Sequence, residues 1–129
     1  MILDSSALVA IAFGEPEAEN FLMLCLRHSP RMSAANYFEA AMVIDRKSLN
    51  DIPPRVFAEV INHMNLDVIS VSRLQAEAAR AAYRRFGKGN HPARLNFGDC
   101  FAYALAQEMG KPLLFKGDDF ILTDVKAAI

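Results

Sequence analysis

Short apolar runs recurring between helical stretches constrain this chain more than any other feature. Met1-Ile2-Leu3, Arg31-Met32-Ser33, Asp67-Val68-Ile69-Ser70-Val71 and Pro112-Leu113-Leu114-Phe115 read as strands, the second of them weakly. Ser5 or Ser6 is expected to cap a first helix through Ala7 to Phe13, stopped by Gly14. A second helix starts near Glu15-Pro16-Glu17 and runs to about His28; a third runs from about Ala34 to Ser48. Asp51-Ile52-Pro53-Pro54 breaks the chain and opens a fourth, with Val56, Phe57, Val60, Ile61 and Met64 at helical spacing. Ser72 caps a fifth to about Phe86, Gly87 to Leu95 form a loop, and Phe97 to Met109 form a last helix ending at Gly110. Strands alternating with helices in this way predict an α/β fold with a parallel sheet covered on both faces. Sites in such folds lie beyond the carboxyl ends of the strands.

Residues 1–129 read as one domain, without repeats, linkers or low-complexity tracts. Hydrophobic residues make up 53% and charged ones 22%, the balance of a folded cytosolic protein. With a formal net charge of −1, any attraction to a polyanion has to be local. Cys25 and Cys100 lack a C-x-x-C spacing and read as reduced core thiols. The start, Met-Ile-Leu-Asp, has no basic segment of a signal peptide, and no apolar run approaches the roughly 20 residues of a membrane span. The expectation is a soluble, cytoplasmic protein.

Against that background the acids stand out. Asp4 ends the first apolar run, Glu39 interrupts Tyr37-Phe38-Glu39-Ala40-Ala41-Met42, Asp99 opens the apolar helix from Cys100, and Asp118-Asp119 follow the last strand. Each has an ordinary explanation. Asp4 suits a helix N-cap, although Ser5 and Ser6 serve as well; Glu39 suits a buried ion pair with an arginine. Asp99, three residues after Asn96, suits a capping arrangement, and Gly117-Asp118-Asp119 suits a turn. Gathered together, however, unpaired buried carboxylates are costly, and their natural compensator is a divalent cation with oxygen ligands.

A charge asymmetry points the same way. Between Arg80 and Gly98 lie five cations (Arg80, Arg84, Arg85, Lys88, Arg94) and His91, with Tyr83 and Phe86 among them and no acid. A solvated loop is the usual reason for such a run; beside an acidic pocket it also suits a polyanionic substrate. His28, His63 and His91 share no zinc-ligand spacing, and there is no Gly-rich phosphate loop.

Taken in order, Asp4-Ser5-Ser6-Ala7, Asn36-Tyr37-Phe38-Glu39-Ala40, Leu95-Asn96-Phe97-Gly98-Asp99-Cys100-Phe101-Ala102-Tyr103-Ala104 and Leu114-Phe115-Lys116-Gly117-Asp118-Asp119-Phe120 resemble the PIN-domain ribonucleases. Within them the chain is similar to the VapC toxins of type II toxin–antitoxin systems, over nearly its whole length. The resemblance implies a three-layer α/β/α sandwich around a small parallel sheet and an acidic Mg²⁺ or Mn²⁺ site that cleaves RNA through a metal-activated water. It also implies a homodimer and a hetero-oligomer with an inhibiting antitoxin.

By motif, the family's first three acids fall on Asp4, Glu39 and Asp99, the expected metal ligands, and the fourth on Asp118 or Asp119. Ser6 is expected to hydrogen-bond a ligand carboxylate, and Arg84, Arg85, Lys88 and Arg94 to contact the RNA backbone. Two rivals stand beside this reading. A phosphoacceptor domain would need a lone nucleophilic Asp at another strand end, where Asp45 and Asp51 do not fall. A catalytically inactive PIN-like RNA- or protein-binding module would be favoured by loss of an acid, and none is lost.

Overall fold

The structure is a computed structural model that describes residues 1–47 and 54–129. Its elements follow in the order β1 (Ile2–Leu3), α1 (Ser5–Ala12), α2 (Ala18–His28), β2 (Arg31–Ser33), α3 (Ala34–Lys47), α4 (Pro54–His63), β3 (Asp67–Ile69), α5 (Arg73–Phe86), α6 (Phe97–Met109) and β4 (Leu113–Leu114). The expected strands and helices are all present; β2 keeps its expected bounds, and the other three strands are shorter than expected. The expected end of the third helix at Ser48 and the break from Asp51 to Pro53 lie outside the described residues.

The four strands form one parallel sheet in the order β3-β2-β1-β4. The chain therefore steps outward from β1 to β2 and β3, then returns to the opposite side of β1. That reversal makes the carboxyl ends of β1 and β4 a topological switch point, where the crevice of an open α/β sheet forms. Side-chain alternation along strands this short sends one residue of each to either face. Ile2 and Leu113 pack with Ala79, Ala82 and Phe86 of α5 and Tyr103 and Leu105 of α6. Leu3, Leu114 and Met32 pack with Leu8 and Ile11 of α1, Phe21 of α2 and Ala40 of α3. The result is three layers. Leu3, Leu8, Leu105, Leu113 and Leu114 are almost completely buried, and truncating such a side chain to Ala typically costs roughly 2–5 kcal/mol.

The outer side of β4 is covered by the segment 126–128: Leu113 N–H donates to the Lys126 carbonyl at 2.8 Å, and the Leu113 carbonyl accepts from Ala128 N–H at 2.9 Å. Asp124 ties this segment to the helices by accepting from Tyr103 Oη (2.6 Å) and Arg85 Nη1 (2.9 Å). Among the described residues no helix is long and apolar enough to cross a membrane.

Candidate active site at the sheet's switch point

Asp4 follows β1 directly and caps α1. Its extended backbone (φ −82°, ψ 157°) turns the side chain back, so that Oδ2 accepts from Ser6 N–H at 2.9 Å and Ser6 Oγ at 2.5 Å. The cap is thus the aspartate and not Ser5 or Ser6. Both serines are left free for other work, because the two-atom reach of Asp matches the N–H of the second helical residue. Ser6 Oγ also accepts from Lys116 N–H at 3.0 Å, which struts the end of β1 against the end of β4. Ser5 Oγ donates to Glu39 Oε1. Asp4 is only 2% exposed, and its Oδ1 is buried with no hydrogen-bond partner.

Asp99 is held by a reciprocal capping box: its N–H donates to Asn96 Oδ1, and its own Oδ2 accepts from Asn96 N–H, both at 2.9 Å. Oδ1 stays outside this box. Buried Asn36, on α3, donates from its amide to the Gly98 carbonyl at 2.8 Å and so fixes α3 against the start of α6. The fit leaves no room for a side chain at Gly98: a Cβ there would fall on the Glu39 carboxylate. Glu39 is half-buried and carries no ion pair among the described residues, so the alternative of an arginine partner is not what holds it there.

After β4, Gly117 adopts φ +94°, a value open to glycine and strained for other residues. Phe120, 3% exposed and packed on Phe115 with centroids 5.0 Å apart, anchors the far side of this turn. Asp118 and Asp119 ride exposed on top of it.

Asp4, Ser5, Ser6, Glu39, Asn96, Asp99 and Asp119 line one cavity of about 310 Å³. Asp118 instead lines an adjoining cavity, with Asp119, Asn96, Lys88 and Arg94. Burial is the main reason that the Asp4 carboxyl is raised to about 6; the Ser6 hydrogen bonds oppose the shift and the charge of Glu39 adds to it. Asp99 is raised to about 7, again mainly by burial, with the Asn96 N–H opposing and Asp4, Asp119 and Glu39 adding. Among the described residues no three acidic, histidine or cysteine side chains already converge at ligand distance. The donors nevertheless suit a hard cation: all are oxygens, Asp4 keeps a buried unpartnered oxygen, and Mg²⁺ takes one or two carboxylates while keeping several waters. The residues fit such an ion.

A family model described as "PIN domain" matches residues 1–126. The chain belongs to the PIN-domain family. A VapC ribonuclease of Mycobacterium bovis is 46% identical to this PIN domain over 126 residues, covering 97% of this chain and 95% of the relative. A ribonuclease VapC of Mycolicibacterium smegmatis is 47% identical over 129 residues, covering 98% of each. Among solved structures, a toxin–antitoxin complex from Klebsiella pneumoniae superposes with TM-score 0.70 at 17% identity, covering 95% of this chain and 92% of that one. A sarcin–ricin-loop-cleaving VapC toxin of Mycobacterium tuberculosis superposes with TM-score 0.67 at 16% identity, covering 96% and 95%. The structures establish the three-layer fold, and the sequence relatives establish the branch of the family.

The five cations between Arg80 and Gly98 of this PIN domain divide between two surfaces. Lys88 and Arg94 share a cavity with Asn96 and Asp119 and so border the acids. Arg84 and Arg85 lie with Arg80 along the outer side of α5. Arg85 is engaged by Asp124 and stands 4.5 Å over the Phe86 ring, while Arg80, Arg84, Lys88 and Arg94 make no ion pair among the described residues. The capping arrangement of Asn96 with Asp99 is as the sequence suggests, whereas Ser5, read there as a possible cap, instead meets Glu39, and Asn36 is a site-building residue to which the sequence reading gave no role. Asn36 left a trace, being the polar neighbour one turn before Glu39 on an otherwise apolar face.

Proposed function

We propose that this PIN domain is a metal-dependent endoribonuclease and the toxin of a type II toxin–antitoxin pair, acting in the cytoplasm. The observation that carries the chemistry is the pair of buried aspartates, each with one oxygen held by the protein and the other left over, beside Glu39 and Asp119 in one cavity. Asp4 and Asp99 would hold the ion, and Glu39 and Asp119 would bind it or order its waters. When bound, Mg²⁺ or Mn²⁺ supplies water activation at neutral pH and charge neutralisation at the scissile phosphate. Ser6 keeps the second oxygen of Asp4 occupied and so aims the first; Asn96 does the same for Asp99. Lys88 and Arg94, bordering the acids, would position the backbone, and Arg84 would extend the track. Asp119, at the cavity, is the better fourth acid than Asp118. The relatives' names, VapC ribonuclease and ribonuclease VapC, support RNA as the substrate, and the toxin–antitoxin complex that shares the fold supports an antitoxin as a partner.

The direct test is cleavage of a structured RNA by the purified chain with Mg²⁺ or Mn²⁺, abolished by a chelator and restored by adding the ion back. A chain that leaves RNA intact with both metals overturns the proposal. Gly98→Ala gives a sharper expectation. The added methyl has to displace the Glu39 carboxylate, the mobile end of a side chain, so the circular dichroism spectrum should be unchanged. A shift of about an ångström at a reacting site can cost about 10²-fold, and cleavage should fall on that scale. Retained activity would remove Glu39 from the mechanism.

A homodimer and an antitoxin would cover the apolar side chains left in water on α2 and α3, where Met23, Leu26, Phe38 and Met42 are 44–63% exposed. Light scattering at tens of micromolar should give twice the chain mass, and a monomer would count against the homodimer. Inhibition of an acidic pocket is best achieved by an antitoxin lysine or arginine that enters it and competes with the metal. An antitoxin complex with no basic side chain near Asp4 and Asp99 would remove that mode.

A further inference from the structure

Between α5 and α6 runs a groove of about 350 Å³ that the acidic site does not use. Ala76, Ala79, Cys100 and Phe101 line it, with Tyr83, Arg80 and Phe97. Phe97 is 78% exposed and Tyr83 47%. The Phe97 ring is not loose, since it meets Phe101 edge-on at 5.0 Å with an interplanar angle of 70°. Its chain neighbour Asn96 lines the acidic cavity, and Arg80 lines both the groove and the basic surface that carries Arg84. From the acids outward the surface therefore presents carboxylates, then exposed aromatic rings, then unpaired cations.

We infer that this groove seats an unpaired nucleobase flanking the scissile phosphate, stacked on Phe97 beside Tyr83, with Arg80 on the following phosphate. This rests on the ribonuclease reading and adds to it the residues that choose a single-stranded segment. Every base offers a π face and every linkage a negative charge, so aromatics set among cations are the surface a single strand requires. A second copy of the chain is the weaker occupant. A two-fold contact across this groove would bring Arg80 and Arg84 of two copies towards one another with Glu77 the one acid lining the surface beside them, an excess of like charge. Bases of a duplex are also excluded, since stacked and paired bases offer no free face to Phe97.

The test is a coupling measurement on the full chain with Mg²⁺ or Mn²⁺. Cleavage is followed for an RNA oligonucleotide and for versions abasic on either side of the cut. In the wild type, the abasic change on one side should raise KM roughly five- to hundredfold, the scale of one base–aromatic stack. Phe97→Ala should weaken the intact RNA by a similar factor and erase the abasic penalty, whereas Phe97→Trp should keep both. Phe97→Leu, which keeps bulk without a ring, should behave as Phe97→Ala. An abasic penalty of undiminished size in Phe97→Ala overturns the inference while leaving the nuclease intact. So does a change from dimer to monomer in Phe97→Ala without loss of coupling, which would identify a second copy as the occupant. A wild type that cleaves no RNA overturns the ribonuclease reading and this inference together.

Discussion

Asp99→Asn is expected to reduce RNA cleavage roughly 10²–10³-fold or more, the scale of removing one preorganised electrostatic partner, while the protein stays folded. Asparagine keeps the capping box, because its side-chain oxygen can still accept from Asn96 N–H in place of the carboxylate. It removes the charge that a cation would need and the charge that crowds Asp4, Glu39 and Asp119. The same reasoning covers Asp4→Asn: asparagine is as good an N-cap as aspartate, so α1 keeps its start. Loss of activity and gain of metal-free stability should therefore appear together in both variants. Initial rates with saturating Mg²⁺, paired with thermal melts in a chelator at pH 8, measure both sides. A variant that cleaves at the wild-type rate would remove that residue from the site, and one that melts well below the wild type would make its role structural.

Much of this candidate site could be read before the fold was seen, because acids that each have an ordinary local explanation all stand beside apolar runs, and the fold brings Asp4, Glu39, Asp99 and Asp119 to one cavity. Asp4 ends a run of apolar residues, Glu39 shares a helical face with core residues, and Asp99 opens a helix buried on most sides. Such conflicts between local pattern and residue type tend to mark function. The sequence could not show how the acids are held. That Asp4 and not a serine caps α1 depends on the angle at which β1 enters the helix. That releases Ser5 to reach Glu39, 34 residues away, and Ser6 to reach Lys116, 110 residues away. Asn36 and Gly98 meet only because α3 packs on α6, and a one-dimensional pattern carries no record of that contact. Asp119 lines the acidic cavity and Asp118 only the adjoining one, a difference between adjacent side chains that a linear pattern does not carry. The basic run looked uniform in sequence. Folded, it divides according to helix face and loop, and Asp124, from the chain's end, takes up Arg85.

The second large effect is a pH dependence that metal should reverse. Burial, with neighbouring acids adding to it, raises the Asp4 and Asp99 carboxyls to about 6 and about 7, above the ordinary 3.8 of an aspartate. Between those limits the native state binds more protons than the unfolded chain, so stability falls as pH rises. Below about pH 4 both states are protonated at these groups, and above about pH 7 both are ionised, so the loss develops within that window and then levels off. The Asp4 shift alone corresponds to about 3 kcal/mol, or a melting temperature lower by about 10 °C for a domain of this size. Other groups titrate too, so the informative quantity is the difference between the wild type and Asp99→Asn in a chelator, which should grow from pH 4 to pH 8. The proposed Mg²⁺ or Mn²⁺ would bind only the folded, deprotonated site, and at a hundred times its Kd would restore about 2.7 kcal/mol by mass action. The stabilisation by metal should thus be small at pH 5, large at pH 8 and mostly absent in Asp99→Asn. A metal effect equal at both pH values would separate ion binding from these two carboxylates. A wild-type melting curve that tracks Asp99→Asn across the whole range would mean that neither burial nor the neighbouring acids penalise the Asp99 carboxylate, and the need for a cation to compensate it would disappear with that penalty.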